Sequence, residues 1–146
     1  MRREVAILGA TGAVGQTFIQ LLENHPWFTV SVLAASERSA GKKYREACSW
    51  KLDSEMPEEV GEMTVVQTDL KSIEEAGNVD FIFSALPGSL AGPVEEEFAA
   101  KYPLISKANA HRLEEDVPLL IPEVNPEHLS LLPIQKKRRG WDGFIS

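Results

Sequence analysis

Residues 4–15 read Glu-Val-Ala-Ile-Leu-Gly-Ala-Thr-Gly-Ala-Val-Gly, and the change of character at Gly9 decides the fold. The run Glu4 to Leu8 is short, apolar and partly β-branched, without the polar alternation of a half-exposed strand, so it predicts a buried parallel strand. From Ala13 to Asn24, Val14, Phe18, Leu21 and Leu22 recur at spacings of three and four, which predicts a helix with one inward stripe, ended by Asn24 and Pro26. Strand, glycine-rich turn and helix in that order are the context a dinucleotide fingerprint requires. The spacing G-x-x-G-x-x-G departs by one position from the commonest form, but the physical demands are unchanged. Gly9 permits the tight turn, Gly12 lets the backbone approach a pyrophosphate, and Gly15 lets the helix pack closely on the strand. Amides of the first helical turn, aided by the helix dipole, then face the phosphates. A glycine-rich turn with no ligand is the plainer alternative.

Working outward, Phe28 to Ala34 is β-rich and predicts a second strand, joined to the first by a right-handed crossover. Ser36 to Glu62 is polar and without a clear period, and reads as a long excursion holding at most a short helix or hairpin. Met63 to Gln67 predicts a third strand, Asp69 caps a helix running to Ala76, and Gly77 stops it. Val79 to Ser84 is a fourth strand. A helix is expected to open near Pro93, with Glu95 to Glu97 as first-turn acids complementing its dipole. Leu104 to Ser106 gives a fifth strand and Pro118 to Ile121 another extended piece. Asn125 and Pro126 open a last helix, and Gly143 to Ser146 begins a strand. Alternation of this kind predicts an α/β fold of the Rossmann type, a doubly wound, mostly parallel sheet with helices on both faces.

At 146 residues and 43% hydrophobic content, one domain spanning 1–146 is expected. The net charge of −7 argues against a nucleic-acid partner or an anionic membrane surface. No apolar run approaches the roughly 20 residues that span a bilayer, and Met1 to Glu4 is charged and leads straight into a strand, so a cytoplasmic protein without a signal peptide is expected. Cys48 has no partner for a disulfide and no nearby histidine, so it reads as a buried, inert thiol. His25, His111 and His128 lack ligand spacing, and no metal is expected. Lys136 to Arg139 reads as a solvated helix end, and Trp141, Phe144 and Ile145 as an exposed apolar patch.

Cofactor choice turns on the residues after the second strand, where an NAD site places an acid for the ribose 2′-hydroxyl. Here the chain reads Ala35-Ser36-Glu37-Arg38-Ser39. Arg38, flanked by the hydroxyls of Ser36 and Ser39, offers a charge-assisted fork to a 2′-phosphate, which favours NADP. The competing reading makes Glu37 the ribose acid and Arg38 a solvated charge.

GATGAVGQ at 9–16, LAASERSAGKKY at 33–44, FSALPGSLAGPVEEEFA at 83–99 and NAHRLEEDVPLLIPEVNPEHL at 109–129, in that order, resemble the N-terminal domain of the aspartate-semialdehyde dehydrogenase family, in its archaeal and fungal-type branch. The resemblance implies an NADPH-dependent reduction of aspartyl phosphate to aspartate semialdehyde, on the route to lysine, methionine and threonine. By matching positions it implies that Thr11, Gly12, Ala13 and Val14 contact the pyrophosphate, that Ser36, Arg38 and Ser39 hold the 2′-phosphate, and that Ser84, Ala85, Leu86 and Pro87 line the ribose and nicotinamide side. Arg112 would hold the substrate phosphate. The chain departs from the family pattern at Lys107 and Asn109, beside that arginine. The family's nucleophilic cysteine and general-base histidine are expected in a catalytic and dimerisation domain beyond Ser146, so this chain alone is expected to be inactive and the complete enzyme to be a homo-oligomer acting on a small acyl phosphate. Malonyl-CoA and succinyl-CoA reductases share the domain and are one alternative; a stand-alone dinucleotide-binding module is another.

Overall fold

Successive residues of the first strand, β1 (Arg3–Leu8), feed two different cores. Val5 and Ile7 pack with Ile19, Leu22, Leu33 and Tyr44 on one face, whereas Ala6 and Leu8 pack with Val32, Ile73, Ile82 and Phe98 on the other. A strand buried on both sides has no polar face to show, which is why its sequence lacks alternation. The structure, a computed structural model, describes residues 1–146.

Six parallel strands form the sheet: β1, β2 (Phe28–Ala35), β3 (Val66–Gln67), β4 (Phe81–Ser84), β5 (Pro103–Ser106) and β6 (Phe144–Ile145), in spatial order β3-β2-β1-β4-β5-β6. The order reverses direction between β1 and β4, the topological switch point where ligands of open α/β sheets bind. The helices are α1 (Ala13–Leu22), α2 (Tyr44–Ala47), α3 (Glu58–Glu62), α4 (Leu70–Ala76), α5 (Gly88–Ala99) and α6 (Leu131–Arg139), the last preceded by a 3₁₀ turn at Pro126–Ser130. The doubly wound architecture expected from the alternation is present. No helix is long and apolar enough to cross a membrane.

Several local expectations are corrected. In α1 the buried residues are Gly15, Gln16, Ile19 and Leu22, while Val14 and Leu21 are exposed. Close approach at Gly15 turns that face of the helix onto the sheet, so the apolar spacing points one residue away from the true inward stripe. Helix α5 opens at Gly88 rather than near Pro93, because Pro87 supplies the fixed φ of an N-cap, and Pro93 lies inside the helix. Glu95 is therefore a mid-helix residue, and it is fully buried rather than a first-turn surface acid.

The excursion of 36–62 contains two short helices and is anchored by an antiparallel bridge between Lys43 and Thr64. Strand β3 is shorter than expected, beginning at Val66. Pro118 to Ile121, expected as an extended piece, joins no strand of the sheet, where β6 already pairs with β5. The Asn125 side chain instead serves that segment locally, accepting from the Ile121 amide and donating to the Leu119 carbonyl, both at 2.7 Å. The expected patch at 141–145 is also largely covered: Ile145 is buried, and Trp141 packs against the core. Gln135, fully buried in α6, stitches β6 in place through Ile145 N–H and carbonyl bonds of 2.8 and 2.9 Å.

Candidate functional site

The glycine loop sits at the switch point with its back sealed and its front open. Gly9 has φ of 72°, a conformation that favours glycine, and a β-carbon there would lie 2.5 Å from the Ala85 carbonyl oxygen. A β-carbon at Gly15 would lie 2.3 Å from the Gly9 carbonyl oxygen, so this position sets the distance between α1 and the loop. At Gly12, by contrast, the nearest such atom is 3.7 Å away and the residue is exposed.

The loop is tied to both neighbouring strands. Ala10 N–H donates to the Ala34 carbonyl at 3.0 Å, and Ala85 N–H donates to the Leu8 carbonyl at 2.9 Å. From behind, the buried Tyr44 hydroxyl donates to the Ala10 carbonyl at 2.6 Å, and Gln16 Nε2 donates to the carbonyls of Thr11 and Ser49, each at 3.0 Å. Cys48 is buried against the same loop, its thiol directed to the Thr11 carbonyl, and burial pushes its pKa up. On the front, the amides of Ala13, Val14 and Gly15 have no acceptor within the protein, and no side chain caps α1. Unsatisfied first-turn amides at the positive end of a helix are a ready anion site.

Next to this turn, lined by Gly9, Thr11 and Gly12, lies a cleft of about 470 Å³. Gly9, Thr11 and Gly12 form its floor, and Ala35, Ser36 and Glu37 its β2 side. Gln67, Thr68 and Asp69 follow β3, and Ala85, Leu86 and Pro87 follow β4, with Leu90 and Val94 of α5 completing an apolar wall. Asp69 is already committed: Ser72 N–H and Ser72 Oγ donate to its two oxygens at 2.8 and 2.7 Å, and these bonds hold its pKa low. Thr68 Oγ1 donates to the Ala35 carbonyl at 3.1 Å and so fixes the end of β2. A cleft with polar residues after β2 and β3, the glycine loop between, and an apolar wall from β4 and α5 matches the polarity of a dinucleotide.

The residues singled out in the sequence fall into three groups. Gly9, Thr11, Gly12, Ser36, Ala85, Leu86 and Pro87 line the cleft. Ala13, Val14 and Gly15 present free amides beside it, and Arg38 and Ser39 lie just past its β2 wall. Arg38 is exposed and makes no ion pair or hydrogen bond, whereas Glu37 lines the cleft directly. Ser84 and Arg112 stand apart. The Ser84 side chain is fully buried and its hydroxyl donates inward to Glu95, so only the residues after it reach the cleft. Arg112 is exposed on the segment after β5, its Nη2 donating to the Lys107 carbonyl at 3.3 Å, and it does not line the dinucleotide cleft.

Leu90, Val94, Thr68 and Gln67 had no sequence signal that distinguished them from ordinary loop and helix residues. Gln16 did carry one: a polar residue on the face of α1 opposite Val14, followed by a buried Ile19.

Glu96, His111 and Glu114 bring potential ligand atoms within 4.8 Å of one another. His111 Nδ1 faces Glu114 Oε1 at 2.8 Å and Nε2 faces the Gly92 carbonyl at 3.0 Å. With an acceptor facing each nitrogen, the surroundings favour the ring that carries both protons over one that offers a lone pair to a cation. Burial alone would lower the His111 pKa, but Glu114, the Gly92 carbonyl and the charge of Glu95 outweigh it and raise it.

Comparison with known proteins agrees with this geometry. Residues 4–132 match the family described as semialdehyde dehydrogenase, NAD binding domain. Aspartate-semialdehyde dehydrogenase of Methanothermobacter thermautotrophicus is 58% identical over 141 residues, which is 97% of this chain and 40% of that protein. Malonyl CoA reductase (NADP) of Metallosphaera sedula is 45% identical over 148 residues, 99% of this chain and 40% of that protein. Among solved structures, aspartate semialdehyde dehydrogenase with NADP from Candida albicans superposes with a TM-score of 0.86 at 38% identity, covering 99% of this chain and 42% of that one. The chain thus spans about two fifths of the length of the proteins it matches. By both sequence and fold, it belongs to the NAD-binding domain family of the semialdehyde dehydrogenases.

Proposed function

We propose that this chain is the NADP-binding domain of an aspartate-semialdehyde dehydrogenase, the enzyme that reduces L-aspartyl 4-phosphate to L-aspartate 4-semialdehyde in the biosynthesis of lysine, methionine and threonine. The observation that carries the reading is the set of unsatisfied first-turn amides at Ala13, Val14 and Gly15, adjoining a cleft that Gly9, Thr11 and Gly12 line at the switch point of the sheet. A pyrophosphate there accepts from these amides, the adenosine end lies toward β2, and the nicotinamide end lies against Ala85, Leu86 and Pro87. Bound NADPH supplies the hydride; the chain's own residues orient it and exclude water from its apolar wall.

Arg38 is the cofactor-choosing residue. Its guanidinium has no partner in the protein and is free to fork onto a 2′-phosphate beside Ser36 and Ser39. Glu37 on the cleft wall favours a 2′-hydroxyl, so the two neighbours pull the preference in opposite directions. Titration of NADP and NAD into the chain and into Arg38→Ala tests this. NADP should bind the unmodified chain more tightly than NAD, and Arg38→Ala should weaken NADP by roughly tenfold or more while leaving NAD unchanged. Equal affinity for the two cofactors in the unmodified chain overturns the reading.

Cys48 is not the acyl-accepting nucleophile: it is buried behind the glycine loop with a raised pKa. The thiol and the proton-transfer histidine of the reaction belong to a second domain, which also carries the subunit contacts of a homo-oligomer, and Arg112 meets the substrate phosphate there. The small acyl substrate and the acidic surface suit a cytoplasmic enzyme without nucleic-acid or membrane partners. A second reading, reduction of malonyl- or succinyl-coenzyme A, draws on the 45% identical malonyl CoA reductase. Assay of the two acyl donors with the whole enzyme separates the two.

A further inference from the structure

At the carboxyl ends of β4 and β5 two serine hydroxyls converge on one carboxylate oxygen. Ser84 Oγ donates to Glu95 Oε1 at 2.6 Å, and Ser106 Oγ donates to the same atom at 2.5 Å. Glu95 is fully buried in the middle of α5, and its other oxygen, Oε2, has no partner at all. An incompletely paired carboxylate is an expensive way to fill a core, since an apolar side chain of similar volume would occupy the same space without desolvating a charge. What the carboxylate does and a leucine cannot do is fasten two strand ends to one point.

One fastened end leads to the cleft and the other to the arm that carries Arg112. Ser84 is followed by Ala85, Leu86 and Pro87, which line the cleft. Ser106 begins the arm that carries Arg112, and its Oγ also accepts from the Ala108 amide at 3.0 Å, while the Lys107 amide donates to the Ser84 carbonyl at 3.0 Å. Farther along the same arm, His111 Nε2 donates to the Gly92 carbonyl on α5. The arm is thereby strapped to α5 at two places.

We propose that Glu95 is a positioning residue whose carboxylate sets the spacing between the ends of β4 and β5, and through it the placement of the Ala85 to Pro87 wall against the nicotinamide half of the cofactor. The inference rests on the dinucleotide reading and deepens it. Because the clasp lies on the β4 and β5 side, it acts on the nicotinamide half and not on the adenosine half, which lies toward β2. An acceptor oxygen at this point is the requirement; the full negative charge is not.

The test compares NADP with adenosine 2′,5′-bisphosphate, which carries only the adenosine end. Dissociation constants for both are measured by calorimetry on the chain, on Glu95→Leu and on Glu95→Gln, with melting temperatures alongside. Glu95→Leu should weaken NADP by roughly tenfold and leave the bisphosphate unchanged, whereas Glu95→Gln, which keeps an acceptor oxygen, should stay within about twofold of the unmodified chain for both. Global loosening of the fold would weaken both ligands alike, so equal losses in Glu95→Leu, or no loss for either, overturn the proposal. If Glu95→Leu does not fold, Ser106→Ala removes one strap and keeps the carboxylate; it should show the same split at smaller size, and no split overturns the proposal. An unmodified chain that binds neither ligand defeats the dinucleotide reading and this inference with it, while normal binding without a split defeats this inference alone.

Discussion

Tyr44 and Ala10, far apart in sequence, are joined by a hydrogen bond of 2.6 Å in which the buried phenol donates to the carbonyl of the glycine loop. Burial pushes the Tyr44 pKa far above its ordinary value, so the hydroxyl stays a donor across the working pH range. With Gln16 holding the next carbonyl, the back of the loop is satisfied and the first-turn amides of α1 stay free for a ligand. Tyr44→Phe keeps the packing but leaves a buried acceptor unpaired, at a cost of about 1–3 kcal/mol. Denaturant unfolding should show that loss, and cofactor titration a weakening of a few-fold as the loop relaxes. Unchanged unfolding would mean that the bond is not a stabilising one.

Two glycines three residues apart should respond in opposite ways to the same substitution. Gly15→Ala drives a methyl group into backbone atoms at 2.3 and 2.8 Å, which cannot yield as a flexible side chain would. The expected result is destabilisation of about 1–3 kcal/mol, or failure to fold. Gly12→Ala meets nothing closer than 3.7 Å and needs no unusual φ, so the fold should melt within a degree or two of the unmodified chain. Its methyl group instead occupies space at the mouth of the loop where the cofactor approaches, and dinucleotide affinity should fall sharply. Thermal melts and titrations on the two variants separate packing from binding, and a Gly12→Ala chain with full affinity would place the pyrophosphate elsewhere.

The parts of this molecule that local chemistry dictates were legible from the chain itself. The run from Glu4 to Gly15 specifies a buried strand, a turn and a helix through nearest-neighbour constraints, and the later alternation extends it to a doubly wound sheet. What was not legible depends on residues distant in sequence. Glu95 looks like one of three consecutive surface acids until Ser84 and Ser106 are brought to it from two strands. Proline rules placed the start of α5 at Pro93, yet Pro87 is equally able to open a helix, and only the packed position of Ala91 decides between them. In the glycine loop itself, the apolar spacing of α1 misjudged the inward face because Gly15 contributes contact without a side chain. Glu37 and Arg38 both qualify as cofactor residues from their place after β2, but which of them lines the cleft follows from the turn that Ser39 and Ala40 make back onto the Ser36 carbonyl.

Stability should carry a pH signature from the arm after β5. The folded-state pKa of His111 lies above its ordinary value of 6.5, so the stability it contributes is fully present below about pH 6.5 and is lost as pH rises through the folded value. Glu114 and Asp116 run the other way. Burial opposes ionisation of Glu114, but Arg139 and His111 prevail and lower its pKa, and Arg139 lowers that of Asp116. Their contribution is present above their ordinary values of 4.5 and 3.8 and is lost as pH falls through the depressed ones. The clasp is therefore strongest between these limits. Melting temperatures of the chain and of His111→Gln should differ most near about pH 6 and converge toward about pH 9. A constant difference across that range would show that the ring acts by packing rather than by charge.

Arg139 holds the same arm to α6, and its removal should be the most damaging surface-proximal change in the chain. Its Nε and Nη2 donate to the two oxygens of Asp116, each at 2.6 Å, while Nη2 also reaches Glu114 and the guanidinium stacks on the Trp141 ring at 4.9 Å. The Asp116 side chain is only 4% exposed, so without its partner it is a buried, unpaired charge. Arg139→Met should cost about 3–5 kcal/mol for that reason, more than the pair itself contributes over an apolar replacement. The penalty belongs to the stranded carboxylate, so Arg139→Met combined with Asp116→Asn should recover much of it, and Arg139→Lys should fall between, keeping the charge but losing the two-pronged fork. Urea unfolding of the unmodified chain, Arg139→Met, Asp116→Asn and the double variant closes the cycle, with Arg139→Lys measured beside it: additive losses in the double variant would mean that Arg139 and Asp116 are not coupled. Dinucleotide affinity should survive in every variant that folds, because this clasp lies away from the cleft between β1 and β4, whereas the Glu95 clasp borders it.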